Sequence, residues 1–225
     1  MIRSEELEDG VFVITEEIPH VRSAAIGVWL LTGSRFETEK QSGYSHFLEH
    51  MLFKGTKKRN AKQIAEYFDC MGGHIDAFTS RENTCLYTKV MDENIPAVME
   101  GMSDILFKSV FPEGEIENEK SVISEEIKMH ADSPEEFIHD LFMQSLWGYH
   151  PLSRSIIGSP QNTAATTRNS LLDYFSGRFI AADIIIAAAG NVKFKDIMKH
   201  CGKYFRRSRR NYRRAEISAP APFGK

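Results

Sequence analysis

Cysteine is nearly absent from this chain, with three residues in 225: Cys70, Cys85 and Cys201. An odd number at wide spacing excludes a disulfide framework and forms no Cys-x-x-Cys pair. The three read as reduced, mostly buried packing thiols of a cytoplasmic protein. Long apolar runs are lacking too. The longest, Phe179–Ala189, contains Asp183 and has the length of a strand, well short of the roughly 20 residues that cross a bilayer. The first ten residues, MIRSEELEDG, are acidic and polar, without the basic start and apolar stretch of a secretory leader. Neither sign of charge dominates, since 28 Lys+Arg against 31 Asp+Glu leave a net charge of -3. That balance argues against the basic field of a nucleic-acid binder or a membrane-surface protein. Serine and cysteine occur outside any recognisable nucleophile motif. What remains is 42% hydrophobic, in a chain long enough for one substantial core.

Strands come first. Gly10–Glu16 alternates apolar and polar residues, and Ser23–Leu31 reads as a packed central strand. Helical spacing follows over Ser45–Phe53 and Ala61–Met71, each closed by a glycine shortly beyond. His74–Thr79 and Thr84–Met91 alternate as an antiparallel pair around a polar turn. The middle is helical: Asn94–Phe107, Pro112–Met129, and a helix capped by Ser133 with Glu136 three positions on. Gly148–Thr163 reads as a loop, Thr167–Phe175 as a short helix, Asp183–Gly190 as a buried strand and Phe194–Phe205 as a last helix. Strands in pairs and helices in runs predict an α+β fold, a mostly antiparallel sheet packed against helices. Residues 1–207 form one domain on this reading. Residues 208–225 begin a basic, proline-containing linker, within a tail whose stretch from Arg206 to Arg214 holds six arginines.

The segment His46-Phe47-Leu48-Glu49-His50 carries the chemistry. His46 and His50 lie four apart, so a helix projects both imidazoles the same way, one turn above the other. Zinc takes such neutral nitrogens together with carboxylate oxygens in a tetrahedral shell. Glu49, beside the pair, can reach a water on the open side of the metal without binding the metal itself. This is HExxH with the glutamate at the other end, the HxxEH arrangement of inverzincins. Phe47, Leu48, Met51, Leu52 and Phe53 make the helix apolar over much of its surface, and ionisable residues in such a helix need partners. A third ligand is sought in the acid-rich helix that follows. Glu119 and Glu126 are seven apart and share a face with Val122 and Ile123 nearby, while Glu125 is rotated away. An exposed acidic helix is the competing reading of that spacing.

The blocks GYSHFLEHMLFKGT (Gly43–Thr56), GGHIDAFTSRENT (Gly72–Thr84) and EKSVISEEI (Glu119–Ile127) closely resemble the M16 metallopeptidase family. HPLSRSIIGS (His150–Ser159) and IIIAAAGNV (Ile184–Val192) extend the likeness over nearly the whole chain, towards its bacterial processing-protease-like members. The resemblance implies one zinc ion per chain on His46, His50 and Glu126. It makes Glu49 the general base on the zinc-bound water and Glu119 a supporting acid of the site. It makes the strand His74–Thr79 the edge to which substrate peptide adds as a further strand, with Ala77 and Phe78 as the main-chain contacts. Phe53 matches an aromatic lining the pocket after the scissile bond, against a packing role in its helix. Glu136 and Asp140 fall where family members read an arginine upstream of the cut, against a solvated helix face.

The expected activity is therefore zinc-dependent hydrolysis of peptides or unfolded segments. Family members pair this domain with a second, similar half, in the same chain or as a partner subunit, so a dimer is one possible assembly and the domain alone is expected to bind zinc but cleave poorly. The alternative is a non-catalytic partner half, which the intact motif disfavours. A third reading, S-ribosylhomocysteine lyase, also carries HxxEH but needs a cysteine ligand, here Cys85 or Cys201, and the other blocks do not fit it.

Overall fold

The computed structural model describes residues 1–179 and 183–206; the expected linker 208–225 lies outside them. Six strands form one sheet: β1 (Ile2–Glu6), β2 (Phe12–Glu17), β3 (Ser23–Leu30), β4 (His74–Thr79), β5 (Thr84–Met91) and β6 (Ile184–Gly190). Their spatial order is β1-β2-β6-β3-β5-β4. Four ladders are antiparallel, and β6 enters parallel to β2. The expected α+β fold with a mostly antiparallel sheet is what the chain adopts. β1 went unread in the sequence because all five of its side chains are exposed, so it shows no alternation of burial.

Eight α-helices accompany the sheet among the described residues: α1 (Tyr44–Leu52), α2 (Ala61–Asp69), α3 (Ile95–Lys108), α4 (Glu113–Asp132), α5 (Pro134–Trp147), α6 (Pro160–Ala165), α7 (Arg168–Tyr174) and α8 (Phe194–Tyr204). α6 lies within the expected loop, and its Ser159 side chain accepts from the Asn162 N–H. Ser133 both closes α4 and starts α5, and makes no side-chain cap bond.

The core sits on one face of the sheet. Ala24, Ile26, Val28 and Leu30 of β3 turn into it and share one buried cluster with Val98, Met99 and Met102 of α3. The alternate residues Ala25, Gly27 and Trp29 join Phe78, Tyr87 and Ala187 around an open apolar hollow of about 800 Å³ on the other face. Trp29 meets Phe78 edge to face at 5.5 Å.

The zinc-motif helix α1 is anchored from several directions. Phe47, Leu48, Met51 and Leu52 are at most 2% exposed, and each such side chain is worth about 1.5–3 kcal/mol. At its N-terminus stands Gly43, at φ +98, which has no side chain to cap with. Glu37 does the capping instead: its carboxylate accepts from the N–H of Gly43 at 2.8 Å and of Ser45 at 2.6 Å, satisfying orphan donors of the first turn. The loop bearing Gly158 presses on this start so closely that a Cβ there would lie 2.5 Å from the Ser42 carbonyl oxygen.

Candidate metal centre

α1 projects His46 and His50 from one face, with ring centroids 4.6 Å apart. α4 brings Glu126 opposite both: its Oε2 lies 3.7 Å from His46 Nε2 and 3.5 Å from His50 Nε2. One ligand atom from each of the three residues lies within 4.8 Å of the others. A tetrahedral zinc shell with bonds of about 2.1 Å has edges of about 3.4 Å, so the two histidine–glutamate spacings suit that ion. Among the described residues no cysteine belongs to such a group. Cys85 and Cys201 are buried, which pushes their thiols up to about 12, and all three cysteines are free.

The protonation states fit as well. Burial, and then the neighbouring His50, lower His46 to about 4, so it is a neutral imidazole with a lone pair to give. His50 Nδ1 donates to Glu119 Oε2 at 2.8 Å, leaving Nε2 directed at Glu126. Glu119 is 3% exposed, and its second oxygen lies 2.6 Å from the Lys54 ammonium. Burial works against its charge, but the Lys54 and His50 bonds outweigh it and hold the carboxyl below its ordinary range. The two acids of α4 thus serve opposite nitrogens of one imidazole, and they do not share an environment: Glu119 is buried, whereas the Glu126 side chain is 39% exposed. His46 Nδ1, by contrast, is buried without a hydrogen-bond partner.

Glu49 points away from the core into a cleft lined also by His46, Ala77, Thr79, Arg81 and His139. The Thr79 hydroxyl donates to its carboxylate. Burial raises the Glu49 pKa, and the Thr79 bond opposes that rise. A carboxylate raised in this way is a better proton acceptor than a solvated one.

β4 is the sheet edge beside this cleft. The Ser80 N–H donates to the Asn83 carbonyl at 2.8 Å, in register with the β4–β5 ladder. Antiparallel alternation then turns the main-chain groups of Phe78 and Asp76 towards β5, and those of Ile75, Ala77 and Thr79 outward. The free edge agrees with this: the Ala77 N–H is taken by the Asp76 carboxylate at 2.8 Å. Ala77 therefore presents its main-chain groups to the open edge, and Phe78 presents its own to β5. Phe78 lines both this cleft and the hollow on the open face of the sheet.

The remaining expected residues separate. Phe53 follows the end of α1 and packs against the core; it is not among the residues lining the cleft. Glu136 stands exposed at the cleft. Asp140 is 8% exposed and already paired, accepting from Arg81 at 3.1 Å, with His130 Nε2 at 3.7 Å. It also lines the cleft, and its pairing with Arg81, 59 residues away in the chain, is a contact that helical spacing could not reveal. Sequence reasoning passed over Lys54, Thr79 and Arg81. Thr79 was within reach, because it shares strand parity with Ala77.

Comparison with known proteins adds the following. The sequence profile described as Insulinase (Peptidase family M16) matches residues 12–160. A Bacillus subtilis protein named "Uncharacterized zinc protease YmxG" is 43% identical over 207 residues, covering 91% of this chain and 51% of that protein. The "Probable mitochondrial-processing peptidase subunit beta, mitochondrial" of Arabidopsis thaliana is 38% identical, covering 88% of this chain and 38% of its own length. A solved "peptidase M16 inactive domain" from Pseudomonas fluorescens superposes with a TM-score of 0.89 at 16% identity, over 98% of this chain and 54% of that one. The chain spans about half the length of the bacterial curated relatives it matches. No described helix is long and apolar enough to cross a membrane.

Proposed function

Because the chain belongs to the insulinase-type M16 peptidase family, we propose that it is the catalytic half of a zinc endopeptidase acting on peptides or unfolded segments. The observation that carries this is the convergence of His46, His50 and Glu126 beside a half-buried Glu49 and an open sheet edge. His46, His50 and Glu126 would hold one zinc ion, which supplies Lewis-acid polarisation of a peptide carbonyl. The chain's own groups do the rest. The outward main-chain groups of Ala77 and Thr79 bind substrate as an added strand, by contacts blind to side-chain identity. Glu49 takes the proton of the attacking water and returns it to the departing amine. Lys54 and Glu119 keep His50 in the tautomer that leaves Nε2 free. Exposed Glu136 favours a basic substrate side chain. A second, similar half, in the same chain or as a partner subunit, completes the enclosure. A cytoplasmic site of action is part of this reading, supported by the three free cysteines.

A non-catalytic partner half would share this fold, as a neighbour named an inactive domain does. The three ligands together with Glu49 favour the enzyme. The test is full-length protein loaded with zinc and given an unstructured peptide. The expected result is cleavage that falls about 10²–10⁴-fold in Glu49→Gln while the zinc stays bound. Near-normal turnover in that variant removes Glu49 from its role.

A further inference from the structure

Thr79 occupies two places at once. Its main-chain groups belong to the outward-facing set of β4, one strand period beyond Ala77. Its hydroxyl belongs to Glu49, and among the described residues this is the hydrogen bond that the Glu49 carboxylate makes. The residue is also fixed from behind. The next residue, Ser80, is bonded to Asn83 and accepts from the Ser34 N–H at 3.3 Å. Thr84, the cross-strand partner of Thr79, is buried, with its hydroxyl donated to the Thr32 carbonyl at 3.1 Å. A threonine in a strand has few χ1 choices, so where the β4 backbone goes, the hydroxyl goes.

We propose that Thr79 is a positioning residue that couples the pairing of a peptide on β4 to the placement of Glu49. One carboxylate oxygen of Glu49 is occupied by the hydroxyl, and the other is left to accept a proton. A peptide hydrogen-bonded to the outward groups of Thr79 immobilises the strand end that carries this hydroxyl, and so orients the carboxylate against the bond to be cut. A productive arrangement is thereby assembled by main-chain pairing alone, whatever the peptide's side chains. This inference rests on the endopeptidase reading above, and it assigns Thr79 a part that neither metal binding nor substrate affinity requires.

The experiment uses Thr79→Val, which keeps the shape and removes the donor, and Thr79→Ser, which keeps the donor, in the full-length zinc-loaded protein. With an unstructured fluorogenic peptide, Thr79→Val is expected to lower kcat by about tenfold or more with KM within about twofold, because a small misplacement of a reacting group is costly. Thr79→Ser is expected to restore most of the loss. Zinc content should stay as in the unmodified protein, and the crystal structure of zinc-loaded Thr79→Val should show the Glu49 carboxylate turned from its place. An unchanged kcat, a loss confined to KM, a loss of zinc, or a Glu49 left in place overturns the proposal. If the unmodified zinc-loaded protein cleaves no peptide, the endopeptidase reading falls. The crystal comparison then decides Thr79 by itself: a displaced Glu49 supports the coupling, and an undisplaced one refutes it.

Discussion

α1 and α5 line one cleft and are built in opposite ways. Six of the nine residues of α1 are buried, its start is held by Glu37, and its histidines are met by the acids of α4. Of the fourteen residues of α5 only Asp140 is buried, while Phe137, Ile138, Leu141 and Phe142 stand 40–60% exposed. Metal ligands have to be fixed to within fractions of an ångström, and α1 meets that demand through contacts inside this chain. α5 offers the cleft Glu136 and His139 from a helix whose apolar side chains are largely uncovered. The comparison separates a wall organised by its own core from one that is not.

The sharpest way to break this contrast is to remove a ligand. His46→Ala or Glu126→Gln should weaken zinc binding on the order of 1,000-fold, beyond the roughly 10–100-fold typical of an outer partner. Competition against a chromophoric chelator measures it. Full retention of zinc by Glu126→Gln would reassign the third ligand.

Next comes the anchor of α1. Burial raises the Glu37 carboxyl to about 7, against the opposing bonds from Ser45 and Gly43. A carboxyl whose folded pKa lies above its unfolded value stabilises the fold in its protonated form. That contribution is complete below about 4.5 and is lost as pH rises through 7. Glu37→Gln should remove a pH-dependent difference of up to about 3 kcal/mol. Urea unfolding of both metal-free proteins at pH 5 and pH 8 reads it, and their difference cancels the opposite contribution of His46, whose pKa is depressed. Parallel curves for the two proteins would refute it.

Lys54→Met removes the cation that Glu119 leans on and should loosen zinc by about 10–100-fold, with Lys54→Arg recovering part of it. An unchanged chelator titration would show that Glu119 keeps its place unaided. The smallest effect belongs to α5. Phe142→Ser, at a side chain 60% exposed, should shift stability by no more than about 0.5 kcal/mol and leave zinc affinity untouched. A cost of several kcal/mol would mean that α5 is packed as firmly as α1.

The same contrast explains what the sequence made legible. Local spacing put His46 and His50 one helical turn apart on one face, and Glu119 and Glu126 two turns apart on another, while the choice of Glu126 as ligand came from the family resemblance. Spacing could not say which acid faced Nε2, because the two roles differ only in what surrounds them, Lys54 for one and open space for the other. Which main-chain groups of Ala77 and Phe78 face outward could not be read, because the parity of an edge strand is set by its hairpin register, here the Ser80–Asn83 bond. The pairing of Asp140 went unread because Arg81 comes from another part of the chain. The apolar alternation of β2, β3 and β6 was readable, whereas the parallel entry of β6 beside β2 depends on long-range packing that periodicity does not carry.

The Asp76 carboxylate on the Ala77 N–H has a consequence for the protein in a crowded solution. An edge that accepts any guest backbone is equally open to the same edge of another molecule, the first step of sheet-to-sheet aggregation. At β4 the outward N–H is covered by a negative charge from its own neighbour, with Glu49 close behind the strand end. Two such edges approaching each other bring like charges together and must each give up an internal bond first. A flexible peptide meets that barrier once, a second copy of the edge meets it twice, and the strand stays receptive without becoming sticky.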